Sequence, residues 1–167
     1  MSEDLIQKAY ELGKEYEGKY RGCAQCTIAA VYDAFNIRND DVFKAATGFG
    51  GGGGRTADGS CGAYAGGIMI LSSLLGRERD DFEDAAGVGD RNKSLCRELH
   101  DRFIKEYGTV ICRDIHTKVM GRPFFLADPD EFAKFEEAGA HTVHCLEVVG
   151  KGARWVAEIA MRENLLP

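Results

Sequence analysis

A run of five glycines, Gly50–Gly54, inside the stretch "ATGFGGGGGRTADGSCGAYAGG" (residues 46–67) constrains this chain more than any other feature. Glycine loses more conformational freedom on folding than any other residue. A run of five makes sense where the backbone needs positive φ, or comes too close to a neighbour for a Cβ. Helical signals lie on both sides, so the run reads as a loop between helices. Such a loop either cradles a phosphate or lets the backbone fold around something that the nearby Cys61 holds.

The phosphate alternative fails on context. Gly48, Gly50 and Gly53 spell GxGxxG, but the dinucleotide fingerprint requires a preceding β-strand, and "DVFKAATGF" reads as helix. The Walker pattern fails as well, because Phe49 stands five residues before Gly54 and Arg55 follows where lysine is required. What remains is a set of backbone N–H groups, from Gly50, Gly51, Gly52 and Gly53, able to face an anion such as a thiolate or a sulfide.

Apolar periodicity along the 167 residues gives helices and little else. A first helix is expected over about 4–17, where Leu5, Ile6, Ala9, Tyr10, Leu12 and Tyr16 share a side, and a second from Cys23 or Ala24 to Phe35. Asp40 is the expected N-cap of a short helix through Ala46, and Ser60 that of an apolar helix from Cys61 to Leu75. Further helices are expected over about 91–107, from Asp128 or Asp130 near Glu131, and over 141–163. "TVICRDI" fits a short strand and a short helix equally well. With no regular spacing of strands, the expected fold is all-α: one domain, residues 1–167, a helical bundle with a glycine-rich loop before a buried central helix.

The net charge of −6, with no basic cluster, argues against a nucleic-acid partner. The acidic, amphipathic N-terminal stretch lacks the features of a secretory signal. The longest uncharged stretch, residues 59–76, is shorter than the roughly 20 apolar residues of a membrane span. A cytoplasmic location is therefore expected. In that reducing compartment six cysteines point to metal binding or redox chemistry rather than to a disulfide framework.

Cys61 falls at the first turn of a helix, where unpaired N–H groups and the macrodipole are expected to lower its pKa. Gly62 and the small residues after it allow a backbone or a cofactor to approach closely. Cys23 and Cys26 form a CxxC at a helix start, close enough to share a metal or a disulfide. Thr27 stands where covalent haem attachment would need histidine, and no strand leads into the motif as in a thioredoxin. Cys96 shares a face with Leu99 and Phe103 and reads as core. Cys112 precedes Arg113, whose charge is expected to lower the thiol pKa. Cys145 lies on an apolar stripe with His141 four residues before it, a spacing open to a Cys/His ligand pair. His100 and His116 receive no role.

Together these residues resemble a known family. Cys23 in "GCAQ", the "TGFGGGGGR" loop, "CGAYAGG" at Cys61, Cys112 in "CRD" and Cys145 near the last helix match, in order and separation, the C_GCAxxG_C_C family of redox-active proteins. The resemblance runs from about Cys23 to the final helix and implies a helical domain with a redox role. It maps the family's four cysteines onto Cys23, Cys61, Cys112 and Cys145, leaving Cys26 and Cys96 as extras.

Three chemistries follow. Cys23, Cys61, Cys112 and Cys145 hold an iron–sulfur cluster for electron transfer, with the glycine N–H groups tuning its potential. Alternatively, Cys61 pairs with Cys23 or another cysteine in a cofactor-free thiol/disulfide oxidoreductase or redox sensor. In the third, the thiolates bind zinc or another soft metal. The cluster ranks slightly ahead, since four thiolates exceed what a dithiol needs. An unidentified redox partner is expected, and a homo-oligomer is left open.

Overall fold

The sequence of the fourth helix, GAYAGGIMILSSL, is apolar or small almost all the way round, and a helix of that kind belongs in the middle of a fold. In the computed structural model, which describes residues 2–167, this helix is α4 (Gly62–Leu74) and it is central. Against it pack α2 (Cys23–Ala34), α5 (Val88–Tyr107) and α8 (Cys145–Arg162), and α1 (Ser2–Tyr20) packs on α2 and α8. The short helices α3 (Asp40–Ala45), α6 (Cys112–Met120) and α7 (Pro129–Glu137) lie between them in sequence. The fold is all-α. Among the described residues the one strand-like feature is an isolated antiparallel bridge between Ser60 and Ile111. No described helix is long and apolar enough to cross a membrane.

Small residues let the helices approach closely. A Cβ on Gly66 of α4 would stand 2.5 Å from the Ala24 carbonyl oxygen and 3.1 Å from the Ala24 Cα of α2. The main core joins Ile28 and Val31 of α2, Ile70 and Leu71 of α4, Leu99 and Phe103 of α5, and Val149, Val156 and Ile159 of α8. A second, smaller cluster forms from Phe124, Leu126, Phe135 and Ala140, in and around α7. On the outside, Glu98 of α5 accepts from Arg102 at 2.9 Å and from Arg162 of α8 at 2.7 Å, fastening the two helices together.

Several expected boundaries move, each for a local reason. Asn39, not Asp40, caps α3 by accepting from the Val42 N–H at 3.1 Å, and Asp40 falls inside the first turn, where its charge suits the helix dipole. Ser60 is taken up by the bridge to Ile111, and Cys61 occupies the N-cap position of α4. "TVICRDI" contains both of its alternatives, with Ile111 in the bridge and a helix starting at Cys112, which is why a single period could not describe it. Asp128 is the cap of α7, accepting from the N–H groups of Asp130 and Glu131 at 2.9 Å. The last helix begins at Cys145. Residues Ala140–His144 form a π-helical turn in which His141 departs from helical geometry (φ −99°, ψ 17°).

Two outcomes test this packing. Gly→Ala at a free helical position stabilises by about 1 kcal/mol, whereas Gly66→Ala is expected to destabilise by about 1–3 kcal/mol because α2 must move. A denaturant midpoint that rises instead would contradict the close crossing. The bonds from Arg162 and Arg102 hold the Glu98 carboxyl at about 2, below its ordinary 4.5. A depressed carboxyl pKa means that this contribution is fully present above about pH 4.5 and is lost as the pH falls towards 2. The unfolding midpoints of wild type and Glu98→Gln should therefore converge across that window; parallel curves would deny the clasp.

Candidate functional site

The glycine run makes a left-handed turn. Gly51, Gly52, Gly53, Gly54 and Arg55 have φ of +60°, +72°, +82°, +58° and +62°. A residue with a Cβ pays about 1–2 kcal/mol for each such position, and glycine avoids it. The turn is closed by bonds from the Gly54 N–H to the Gly48 carbonyl, from Ala57 to Gly51 and from Gly59 to Gly52, each 2.9 Å. Gly52 has a steric reason as well, since its Cβ would stand 2.8 Å from both the Ala57 Cα and the Cys112 Cβ.

The chain leaving this turn pairs with the start of α6. Cys61 donates its N–H to the Val110 carbonyl (2.7 Å), Cys112 donates to Gly59 (2.9 Å) and Arg113 donates to Ala57 (2.9 Å). These bonds bring Cys61 and Cys112, distant in sequence, into one short ladder. Cys23 arrives from the other side, where Arg21 (φ +60°) and Gly22 (φ +88°) turn the chain out of α1. Its sulfur rests on Gly62, where any Cβ would overlap it.

The four cysteines thus share one structural position. Cys23, Cys112 and Cys145 are the first residues of α2, α6 and α8, and Cys61 is the N-cap of α4. All four line a single cavity of about 530 Å³, set between the main core at Val148 and Val149 and the smaller cluster at Leu126 and Phe135. Of the glycines singled out in the sequence, Gly50 and Gly51 line this cavity. The other three lie outside the lining: Gly52 packs behind Cys112, Gly53 has no neighbour within 4 Å of a Cβ position, and Gly62 makes room for the Cys23 sulfur.

Burial dominates the electrostatics. It raises the Cys61 thiol to about 11, and the N–H groups of Ala63 and Tyr64 at the start of α4 draw it back only part of the way. The expected lowering at the helix start is therefore reversed: desolvation of a thiolate outweighs two N–H groups. Cys112 is also raised, chiefly by burial and then by the other sulfurs. The expected help from Arg113 is absent because its guanidinium points outward to Asp58, at 2.6 Å. Burial and the Glu17 charge raise Cys23, against opposing N–H groups of Gly51 and Ala24. Burial also raises Cys145. In the absence of a cation these sulfurs are thiols, and all six cysteines are free.

Cys26 does not face the cavity with Cys23. Its thiol donates to the Arg21 carbonyl at 3.1 Å. Cys96 packs against the main core from α5, as expected for it. His141 is not on a helical face with Cys145, because the π turn intervenes. Its Nε2 instead lies 3.3 Å from Glu17 Oε1 and its Nδ1 is bonded to Glu136. Burial pushes the His141 pKa down, and the bonds to these two carboxylates outweigh that and raise it.

Two buried polar residues of the cavity escaped the sequence reading. Glu17 is 2% exposed, with Oε2 unpartnered. Its signal was position, four residues after Gly13 on the buried stripe of Ile6 and Ala9. His116 is 3% exposed, with Nε2 3.3 Å from the Cys112 sulfur and Nδ1 unpartnered. Burial lowers its pKa to about 4 and keeps the ring neutral. Its signal was the four-residue spacing from Cys112 once α6 is known to be helical. Among the described residues no three Cys, His, Asp or Glu side chains are gathered as around one metal ion.

A family model described as "Putative redox-active protein (C_GCAxxG_C_C)" matches residues 21–159. No curated protein and no solved structure matches the chain. The matched span contains the four cavity cysteines and the glycine turn.

Gly52→Ala tests the site's framework. It is expected to destabilise by at least about 1–2 kcal/mol from φ alone, and to speed alkylation of Cys112 by a maleimide as the side chain is displaced. Wild-type stability and wild-type labelling would contradict the packing of the turn against α6.

Proposed function

The chain belongs to the C_GCAxxG_C_C family, and from that premise we propose that its cavity is a redox centre in which Cys23, Cys61, Cys112 and Cys145 hold an iron–sulfur cluster for electron transfer. One observation carries the reading: four cysteines from four helix starts line a single cavity.

The donor set suits such a group. Neutral buried thiols gain nothing from the N–H groups of Gly51, Ala24, Ala63 and Tyr64 that face them, whereas metal-bound thiolates would. A single tetrahedral ion needs its donors gathered at one point, at about 2.3 Å for sulfur. The cysteine ligands of a cluster attach to different irons and so need to line one space rather than meet at one point, and the four cysteines line one cavity. His116 Nδ1, buried and unpartnered among the described residues, is a polar atom of the kind that marks a missing partner, whereas the Glu17 charge opposes thiolates at these cysteines. When bound, a cluster supplies one-electron chemistry. The protein's part is to exclude water with Val148, Val149 and Leu126, and to direct backbone N–H groups at the sulfurs.

A second reading rests on the contact of the Cys23 sulfur with Gly62, next to Cys61. In it the two thiols are oxidised to a disulfide, losing two protons and passing two electrons to a disulfide of a partner protein. The raised thiol pKa values weigh against it, since the attacking species is a thiolate.

Anaerobic purification separates the two. The cluster reading expects iron and acid-labile sulfide to co-purify with the protein, with a visible absorption that bleaches on reduction. Cys112→Ser should lower the iron content sharply, and Cys26→Ser should leave it unchanged. A colourless, iron-free protein that loses two titratable thiols on mild oxidation would overturn the cluster in favour of the dithiol.

A further inference from the structure

The rim of the cavity carries a different chemistry from its interior. Arg21 and Arg55 both line it, and both are exposed, unlike the buried Cys61 and Cys112. Both have left-handed φ, +60° and +62°, and each adjoins a glycine that also has positive φ, Gly22 and Gly54. A long cationic side chain stands at each position where a further glycine would be free of strain.

Their surroundings differ. Arg21 donates to the Gly18 carbonyl at 2.6 Å and reaches Glu136 at 3.5 Å. The Arg55 guanidinium lies 4.3 Å from the ring centroid of Phe132, and among the described residues no carboxylate pairs with it. Gly50 joins the two segments: a Cβ there would stand 3.8 Å from the Gly22 Cα, and its carbonyl accepts the Arg55 N–H at 3.3 Å. The one carboxylate of the lining, Glu17, is buried beside His141. In a chain of net charge −6, the exposed charges of this rim are both positive.

Below the rim, Ile115, Leu126, Phe132, Phe135 and Val148 give the walls an apolar part beside the cysteines, Glu17, His116 and His141. The volume of about 530 Å³ falls within the ~300–1,000 Å³ of small-molecule sites. We propose that the rim binds a small organic anion, a carboxylate on an apolar body, with Arg55 and Arg21 on the carboxylate and Phe132 and Leu126 against the body. A guanidinium fork suits a carboxylate, and its stacking on Phe132 holds it in place. The inference deepens the redox reading by naming the class of molecule that approaches the thiols, and rests on that reading for its purpose.

The test titrates the full chain, iron-free and iron-loaded, with benzoate and with benzyl alcohol by ligand-detected NMR. Benzoate is expected to bind at least about tenfold more tightly than its neutral counterpart, the worth of one charge-assisted bond. Arg55→Gly should abolish that preference while the unfolding midpoint holds or rises, because glycine takes a φ of +62° without strain. Arg21→Gln should reduce the preference without removing it. Equal binding of the two probes, binding of neither, or a preference that survives Arg55→Gly would overturn the inference. The two readings fail separately: lost preference with iron retained sinks this one alone, and preference without iron upholds it while sinking the cluster.

Discussion

Burying four thiols in one cavity suppresses their ionisation, and the surrounding backbone only partly offsets that. Cys61 shows the balance most clearly. The N–H groups of Ala63 and Tyr64 face its sulfur, yet burial leaves the thiol at about 11. Free helix starts favour negative charge, and at two of the four cysteines backbone N–H groups face the sulfur, those of Gly51 and Ala24 at Cys23 and those of Ala63 and Tyr64 at Cys61; at the start of α6 the N–H groups of Cys112 and Arg113 are already bonded to Gly59 and Ala57. On the proposed reading, a bound cation would offset the burial that the facing N–H groups leave uncompensated. That is the state in which thiolates, rather than thiols, occupy such a place.

The rest of the fold serves this convergence. The apolar α4 fixes Cys61 at the centre of the bundle, and its small residues admit α2 closely enough for the Cys23 sulfur to rest on Gly62. The left-handed turn at Gly51–Arg55 brings the chain back tightly enough for residues 57–61 to pair with 110–113, which sets Cys112 beside Cys61. The π turn before α8 reorients the chain so that Cys145 opens a helix at the same cavity. Backbone devices do most of this positioning.

Much of the fold could be read in the sequence because it depends on local signals. Apolar spacing marked the long helices, and the glycine run marked a loop of unusual conformation. The family's four cysteines were legible as a set by resemblance. What escaped depends on partners distant in sequence. Glu17 drew no reading from the sequence although it continues the stripe of Ile6 and Ala9, because a carboxylate is buried there only with partners such as His141, far along the chain. Ser60 looked like a cap because its competing partner, Ile111, lies far along the chain. The Cys61 pKa was misjudged for a related reason: helix position can be read locally, but the depth of burial cannot.

The most direct test of the central claim is anomalous diffraction at the iron edge from crystals grown without oxygen. The account expects strong peaks inside the cavity, with continuous density to the sulfurs of Cys23, Cys61, Cys112 and Cys145. An iron-free cavity with those sulfurs paired as disulfides, or left as separate thiols, would contradict it.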